Sequence, residues 1–301
     1  MTQENQGAWK TQDSQLTQGS RGNQDHDNQD HDNLGQCDRN PIDSIPTELP
    51  SWLHWLDSCP STNTWGLEQG GDLPHGTVIF TRRQTAGRGQ HNRIWAAPPG
   101  VITASVLLDR LSPRQLSGFS LVVGLAVIYG VEAAIPQLTG RCRLKWPNDV
   151  LVCDRKLAGI LCETTSGPTG CRVVVGVGLN HRAEFTALPQ ITATTLPMRP
   201  PISLHHLVSA VPADLALLTQ IRHWLLQAGD VVRRCPETAP LQPFIPNLTQ
   251  RDALYGRPIT LTQAEQTVTG TAQGIDDQGR LLLRTPMGQL QRVSAGRVSW
   301  I

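Results

Sequence analysis

Four short apolar runs follow one another with almost no chain between them: Cys142–Trp146, Asp149–Cys153, Lys156–Glu163 and Arg172–Asn180. Each has the length and residue mix of a β-strand, and the sequence CDRK at Cys153–Lys156 reads as a hairpin turn. Further strand-like runs occur at Thr77–Phe80 and Val101–Leu108. Helical spacing occupies Pro113–Leu138, with Pro113 in the first turn, and Leu204–Ala228. Strands clustered after and between helices predict an α+β domain with a mixed, largely antiparallel sheet, spanning about residues 50–250. The Pro-rich stretch Pro240–Asn247 reads as a link. From residue 253 to 301 the runs GRPITLT, QTVTGTAQGI, GRLLLRT and GQLQRVSAGRVSW predict a small appended β-barrel.

Residues 1–45 are of another kind. Gln, Asn and Asp dominate, and NQDHD occurs twice within Asn23–Asp32. So little apolar surface does not offset the entropy of ordering, so a disordered tail is expected. His26 and His31 within the repeat offer a metal-binding reading, against a plain solvated run. The tail shows no helix-turn-helix pattern, so no DNA-binding head is expected. The net charge of +1 gives no reason for broad adhesion to nucleic acid or an anionic membrane. The most apolar stretch, Leu121–Ile135, falls about a turn short of a bilayer span and contains Glu132, and the start has no signal-peptide core. Seven scattered cysteines with no CxxC pair argue against a disulfide framework or zinc site and for a reducing cytoplasm.

Lysine usage points to the chemistry. The chain has three lysines, Lys10, Lys145 and Lys156, and the last two lie in the single segment RLKWPNDVLVCDRKLAGILCE, within apolar runs. A lysine in a strand interior is costly without a partner or a task. A salt bridge, for example to Asp149, is one reading; a cation addressing a ligand carboxylate or phosphate is the other. A second pointer is TRRQTAGRGQHNRIW at Thr81–Trp95, where Gly87 and Gly89 flank Arg88. Glycines admit an anion to backbone N–H groups and arginines supply forked donors, although a flexible basic surface loop has the same composition. The strand Val173–Asn180 ends in glycines and an amide. Ser61-Thr62-Asn63 precedes a helical run and reads on its own as an N-cap. No Walker loop, GxSxG or HExxH occurs, so the chemistry expected is positioning and charge stabilisation around an anionic ligand.

Taken in order, STN, Q-x-x-GRG-x-x-x-R-x-W, KWPNDV, RKLAGIL-x-E and G-x-G-x-N resemble the catalytic domain of biotin protein ligases over about residues 50–250, and the C-terminal module resembles that family's SH3-like barrel. KWPND followed by KLAGIL carries the specificity. The resemblance implies that biotin and ATP, the latter with Mg²⁺, form biotinyl-5′-adenylate, and that biotin then passes to a lysine of a biotin carboxyl carrier protein of acetyl-CoA carboxylase. By position it implies biotin contacts at Ser61, Thr62, Asn63, Gln84, Arg88, Gly89, Gln90 and Lys156, and ATP contacts at Gly87, Arg93, Trp95, Asn148 and Asn180, with Lys156, Arg88 and Asp149 nearest the chemistry. Asn148, Asp149 and Asn180 are expected to position nucleotide and Mg²⁺. Gln90 and Asn92 stand where some members have Arg and Gly, removing one cation from the loop and stiffening it. The rival readings are a lipoate ligase or octanoyltransferase of the same fold, and a biotin-responsive regulator, which needs the DNA-binding head. The resemblance is to the monofunctional, cytoplasmic form. Whether an exposed sheet face pairs two copies into a homodimer or docks the carrier is left open.

Overall fold

The computed structural model describes residues 48–167, 170–185, 200–263 and 266–300. The expectations for residues 1–45, including the His26/His31 repeat, lie outside the described residues.

Seven strands, β1 (Leu53–Trp55), β2 (Val78–Thr81), β3 (Val101–Leu111), β4 (Cys142–Lys145), β5 (Asp149–Val152), β6 (Arg155–Gly167) and β7 (Gly170–Asn180), form one sheet in the order β1-β2-β3-β7-β6-β5-β4. β1 runs parallel to β2 and every other neighbouring pair is antiparallel, the mixed, largely antiparallel sheet that the sequence predicts. The CDRK hairpin joins β5 to β6 with Cys153 and Asp154 both at positive φ (52° and 58°), which a tight two-residue turn between twisted strands requires. The three-residue β1 has no strand signal of its own in the sequence.

Side chains alternate between the faces of a strand, and cross-strand partners share a face. One face presents Phe80, Ile102, Val106, Val175 and Val177 to the main core, which includes α2 (Phe119–Ala134) and α3 (Asp214–Arg234). The other presents Ile79, Leu107 and Val174, against which Trp65 and Leu67 of α1 (Thr62–Gln69) pack. α2 is buried on nearly every side, as a helix apolar all round must be. No helix among the described residues is long and apolar enough to cross a membrane. Glu132, the one charge in α2, is paired through both oxygens with Arg251 (2.7 and 2.8 Å), each side chain only 6% exposed.

Two helical expectations, and the reading of Pro240–Asn247 as a link, are corrected. Pro113–Leu138 is not one helix: a 3₁₀ turn at Pro113–Leu116 is capped by Ser112, and the chain breaks at Gly118 before α2 starts. Gly118 has φ 66°, and a Cβ there would lie 2.8 Å from the backbone of Gly279, so close approach of two backbones fixes the break. Leu204–Ala228 becomes a 3₁₀ turn at Leu204–His206 and then α3, because Pro212 turns the preceding residue away from helical geometry. The Pro-rich link instead contains a 3₁₀ turn at Gln242–Phe244 and α4 (Ile245–Arg251), each with proline in its first turn, where the missing N–H is not needed. Phe244 and Leu248 anchor it in the core.

The C-terminal module is a five-stranded antiparallel sheet of β8 (Pro258–Gln263), β9 (Gln266–Ile275), β10 (Leu281–Arg284), β11 (Leu290–Val293) and β12 (Arg297–Trp300), in the order β11-β10-β9-β8-β12. It is joined to the larger sheet by polar ties. The Trp146 indole donates to Gly279 O (2.9 Å) and Ser117 Oγ to Gln278 O (2.8 Å). Between the two units Asp252 caps Leu254 N (2.8 Å), while its Oδ2 is buried with no partner among the described residues. Burial pushes its carboxyl up to about 6, against the opposing pull of the Leu254 and Tyr255 N–H groups and Arg257. The folded protein therefore holds this proton more tightly than the unfolded chain, and the corresponding stability is lost as pH rises from about 4 through 6. Asp252→Asn keeps the cap and is expected to stabilise the protein at pH 7.5 by on the order of 2 kcal/mol, with the advantage vanishing near pH 4. Urea unfolding of both proteins at the two pH values checks this.

Candidate active site

Register builds the site. On the face that α1 covers in part, Thr81, Thr103, Gly178, Gly159, Asp149 and Lys145 lie in one cross-strand row from β2 to β4. Ile79, Ser105, Gly176 and Leu161 form the next row. Lys156 and Gly159 are three residues apart in one strand, so simple alternation would put Lys156 on the core face. The pairing of β5 with β6 slips between Val150 and Leu151, leaving Leu157 without a partner and setting Lys156 against Leu151. That bulge turns Lys156 back onto the face of Asp149 and drives Leu157 into the core. Lys156 Nζ is 2.5 Å from Asp149 Oδ1, so the salt-bridge reading of this lysine holds, and both side chains also line a cavity of about 160 Å³.

The glycines of the two rows make the floor. A Cβ on Gly178 would come within 2.3 Å of the Trp95 indole, and one on Gly176 within 2.3 Å of Asn63 Oδ1. Both side chains thus lie against bare backbone. Lys156 Nζ stands 5.1 Å from the Trp95 ring centre. The Trp95 Nε1–H is buried with no acceptor among the described residues, an unmet donor inside the cavity.

The start of α1 makes one wall. Ser61 does serve as the N-cap, its Oγ accepting from Thr64 N (3.4 Å), and it also faces the cavity. Gln84 Oε1 accepts from Thr62 N (3.0 Å), and the Ser105 hydroxyl lies 2.7 Å from Thr62 Oγ1 and 2.6 Å from Asn63 Oδ1. Asn63 Nδ2 donates to Leu161 O and to Glu163 Oε2 (3.0 and 2.9 Å). Asn148 donates to Ile160 O (2.7 Å) from the opposite wall.

The loop Gly87–Trp95 folds back on itself like a short hairpin: Trp95 N donates to Gly87 O (2.9 Å) and Gly89 N to Arg93 O (2.7 Å). The expectation that these glycines present N–H groups to an anion is therefore corrected for Gly89, whose N–H is used within the loop. Gly87 serves close packing instead, since a Cβ there would meet Trp95 O at 2.4 Å and Gln84 Nε2 at 2.5 Å. Arg88 is held by a fork: its two terminal nitrogens donate to Glu163 Oε1 and Oε2 (2.9 and 2.7 Å) and Nε to Thr64 Oγ1 (3.0 Å). That occupies three of its five N–H donors. Gln90, Arg93 and Ile94 complete the rim.

Asn180 takes a different place from the one expected. It is not on the cavity wall; its buried amide donates to Lys156 O and Ile202 O (3.0 and 3.1 Å), fixing the backbone behind Lys156. Of the other expected residues, Ser61, Thr62, Asn63, Gln84, Arg88, Gly89, Gln90, Arg93, Trp95, Asn148, Asp149 and Lys156 all line the one cavity. Sequence reasoning missed Thr103, Ser105 and Glu163. Period-two alternation along the strands could have found the first two, and the unexplained carboxylate in RKLAGILCE the third. Lys145 also lies on this face, 5.1 Å from the Trp300 ring of the C-terminal module. Burial lowers its ammonium below the usual lysine range; Asp149 opposes this, while Lys156, Arg297 and Arg93 add to it.

Glu163 should matter through the loop. Glu163→Gln removes one half of a partly exposed charged fork, worth about 1 kcal/mol, so we expect about fivefold faster loss of a ligand held beneath the loop. Hydrogen exchange at Gly87–Gln90 should speed up in parallel; unchanged exchange would mean that the clasp does not restrain the loop.

The comparisons agree with this architecture. The model of the Biotin/lipoate A/B protein ligase family matches residues 55–180, and that of the biotin protein ligase C terminal domain matches residues 254–300. The bifunctional ligase/repressor BirA of Escherichia coli strain K12 is 30% identical over 259 residues, covering 83% of this chain and 71% of that protein. The biotin--acetyl-CoA-carboxylase ligase of Paracoccus denitrificans is 31% identical over 238 residues, covering 76% of this chain and 92% of that one. Among solved structures, the biotin protein ligase from Aquifex aeolicus in complex with biotin and ATP matches with a TM-score of 0.66 at 23% identity, over 82% of this chain and 97% of that one; at this identity the likeness speaks for the fold. Since the family match spans the site-bearing sheet and the second match the module docked on it, the chain belongs to the biotin protein ligase family.

Proposed function

We propose that this protein joins biotin to ATP and hands the activated biotin to a lysine of a biotin carboxyl carrier protein of acetyl-CoA carboxylase. The observation that carries the reading is the arrangement on one sheet face: a half-buried lysine ion-paired to Asp149, beside an indole laid on glycine with an unmet N–H donor. A cation there suits a carboxylate meeting a phosphate, and a flat aromatic wall suits a purine ring.

In the first step a biotin carboxylate oxygen bonds to the α-phosphorus of ATP and the bond to the β,γ-pyrophosphate breaks, giving the mixed anhydride and pyrophosphate. Both reactants are anions, so Lys156 acts by bringing positive charge to the point where they meet, and Asp149 fixes that ammonium in place. Ser61, Thr62, Asn63 and Gln84, tied into one network with Ser105, supply the polar end of the biotin subsite. The clasped loop over the cavity excludes water from the anhydride. In the second step the carrier's lysine amine attacks the biotin carbonyl, AMP leaves, and an amide forms. Mg²⁺ enters as part of the MgATP substrate. Asp149, the only acid among the described lining residues, is the hard oxygen donor that would hold it.

The groove of about 590 Å³ between the loop, Trp146–Pro147 and the C-terminal module shares Gln90 and Leu161 with the cavity and offers the carrier an approach. The six described cysteines are all free, in keeping with a reducing cytoplasm. The reading includes no DNA contact and leaves room for a homodimer; a gel shift and sedimentation test these two points. Radiolabelled biotin, MgATP and a carrier domain test the main reading: label should appear on one lysine of the carrier and vanish without ATP, and labelling independent of ATP would overturn it.

A further inference from the structure

Away from the cavity, the chain leaving β7 meets the segment that returns at Pro200. Ser203 Oγ donates to Ala183 O (2.7 Å) and His205 N to His181 O (3.2 Å), so the two stretches are zipped together. This brings Glu184 between two histidines. Its Oε1 lies 2.8 Å from His205 Nε2 and its Oε2 3.5 Å from His206 Nε2, and the two rings sit with centroids 3.8 Å apart. One potential ligand atom from each residue falls within a sphere of contact no wider than 4.8 Å. None of the three lines the cavity.

From this cluster we infer that Glu184, His205 and His206 form a surface site for a divalent transition metal of the zinc class. Tetrahedral zinc with bonds of about 2.0–2.2 Å keeps its ligand atoms roughly 3.3 Å apart, a spacing that the observed distances straddle. Two imidazoles and one carboxylate are a zinc ligand set that leaves the fourth position for water, and Glu184 is exposed enough for water to reach it. Alkaline-earth ions are a poor match, because they prefer an all-oxygen shell.

The site's position gives it a consequence. Asn180 and the N–H of Ile202 both bond to Lys156 O, so the segment carrying the histidines is also the one that backs the Lys156 strand. A metal bridging Glu184 to His205 and His206 cross-links that segment to the end of β7 and stabilises the fold without touching the reactants.

The test uses the full chain with Co²⁺ and Zn²⁺ as probes. We expect one Co²⁺ per protein with visible d–d bands and no thiolate charge-transfer band, displaced by Zn²⁺, and a zinc-dependent rise in Tm. His206→Ala and Glu184→Gln should each weaken Zn²⁺ binding by about tenfold or more and abolish the rise in Tm. A His26→Ala/His31→Ala variant should change neither. Biotin-dependent pyrophosphate exchange in all variants reports that the fold is intact. A thiolate band, binding unchanged by His206→Ala and Glu184→Gln, binding lost only in the His26/His31 variant, or no zinc bound at millimolar concentration would each overturn the site.

Discussion

Lys156→Ala is expected to lower biotin-dependent ATP–pyrophosphate exchange by on the order of 10²–10³, the usual cost of removing a fixed charge donor from a developing anionic centre. The effect should fall mainly on the turnover rate, because the charge is most needed where carboxylate and phosphate approach each other. Removing the lysine also leaves Asp149 without its 2.5 Å partner, facing the same anions. Asp149 is only half-buried, so the fold should survive, and an unchanged circular dichroism spectrum with an unchanged Tm would separate chemistry from misfolding. Lys156→Arg keeps the charge but presents a wider planar fork beside Asp149 and Gly159, so rescue should be partial at best. Exchange within threefold of wild type in Lys156→Ala would show that another cation carries the step.

Gly178→Val is expected to raise the KM for ATP by about ten- to a hundredfold while leaving biotin binding nearly intact. Even a Cβ at this position lies 2.3 Å from the indole, so Trp95 must leave the sheet face. The stacking it would offer a purine is worth about 1–3 kcal/mol. A β-branched residue itself suits a strand, and Gly178 pairs Thr103 and Gly159 within regular ladders, so the damage should be confined to the indole. Biotin binding by calorimetry and the KM for ATP by pyrophosphate exchange measure the split. Equal loss of both would mean that the strand itself is distorted. Trp95→Ala provides the complementary measurement, with the same expected pattern and no steric clash.

The strands around the site were legible because they alternate and because turn residues separate them: the runs at Cys142–Trp146, Asp149–Cys153, Lys156–Glu163 and Arg172–Asn180 correspond to β4 to β7 within a few residues. What simple alternation hides is the bulge at Leu157. A pattern reader places Lys156 on the core face, and the slip in pairing that reverses this depends on tertiary register rather than on any local residue. Helix ends were less legible for the same reason. The break at Gly118 comes from its contact with Gly279, which lies more than 150 residues further on. At the site, residue types pointed to the cations and glycines but not to their partners. Nothing near Arg88 in sequence announces Glu163, which takes both ends of its fork, and nothing near Asn180 announces that its amide faces the Lys156 backbone.

The central claim is that this site activates biotin, and substrate-resolved ATP–pyrophosphate exchange tests it most directly. Wild-type protein with MgATP should exchange label when biotin is present and not with lipoate or with no acid added. Exchange driven by lipoate and not by biotin, or tight biotin binding with no exchange at all, would contradict the account.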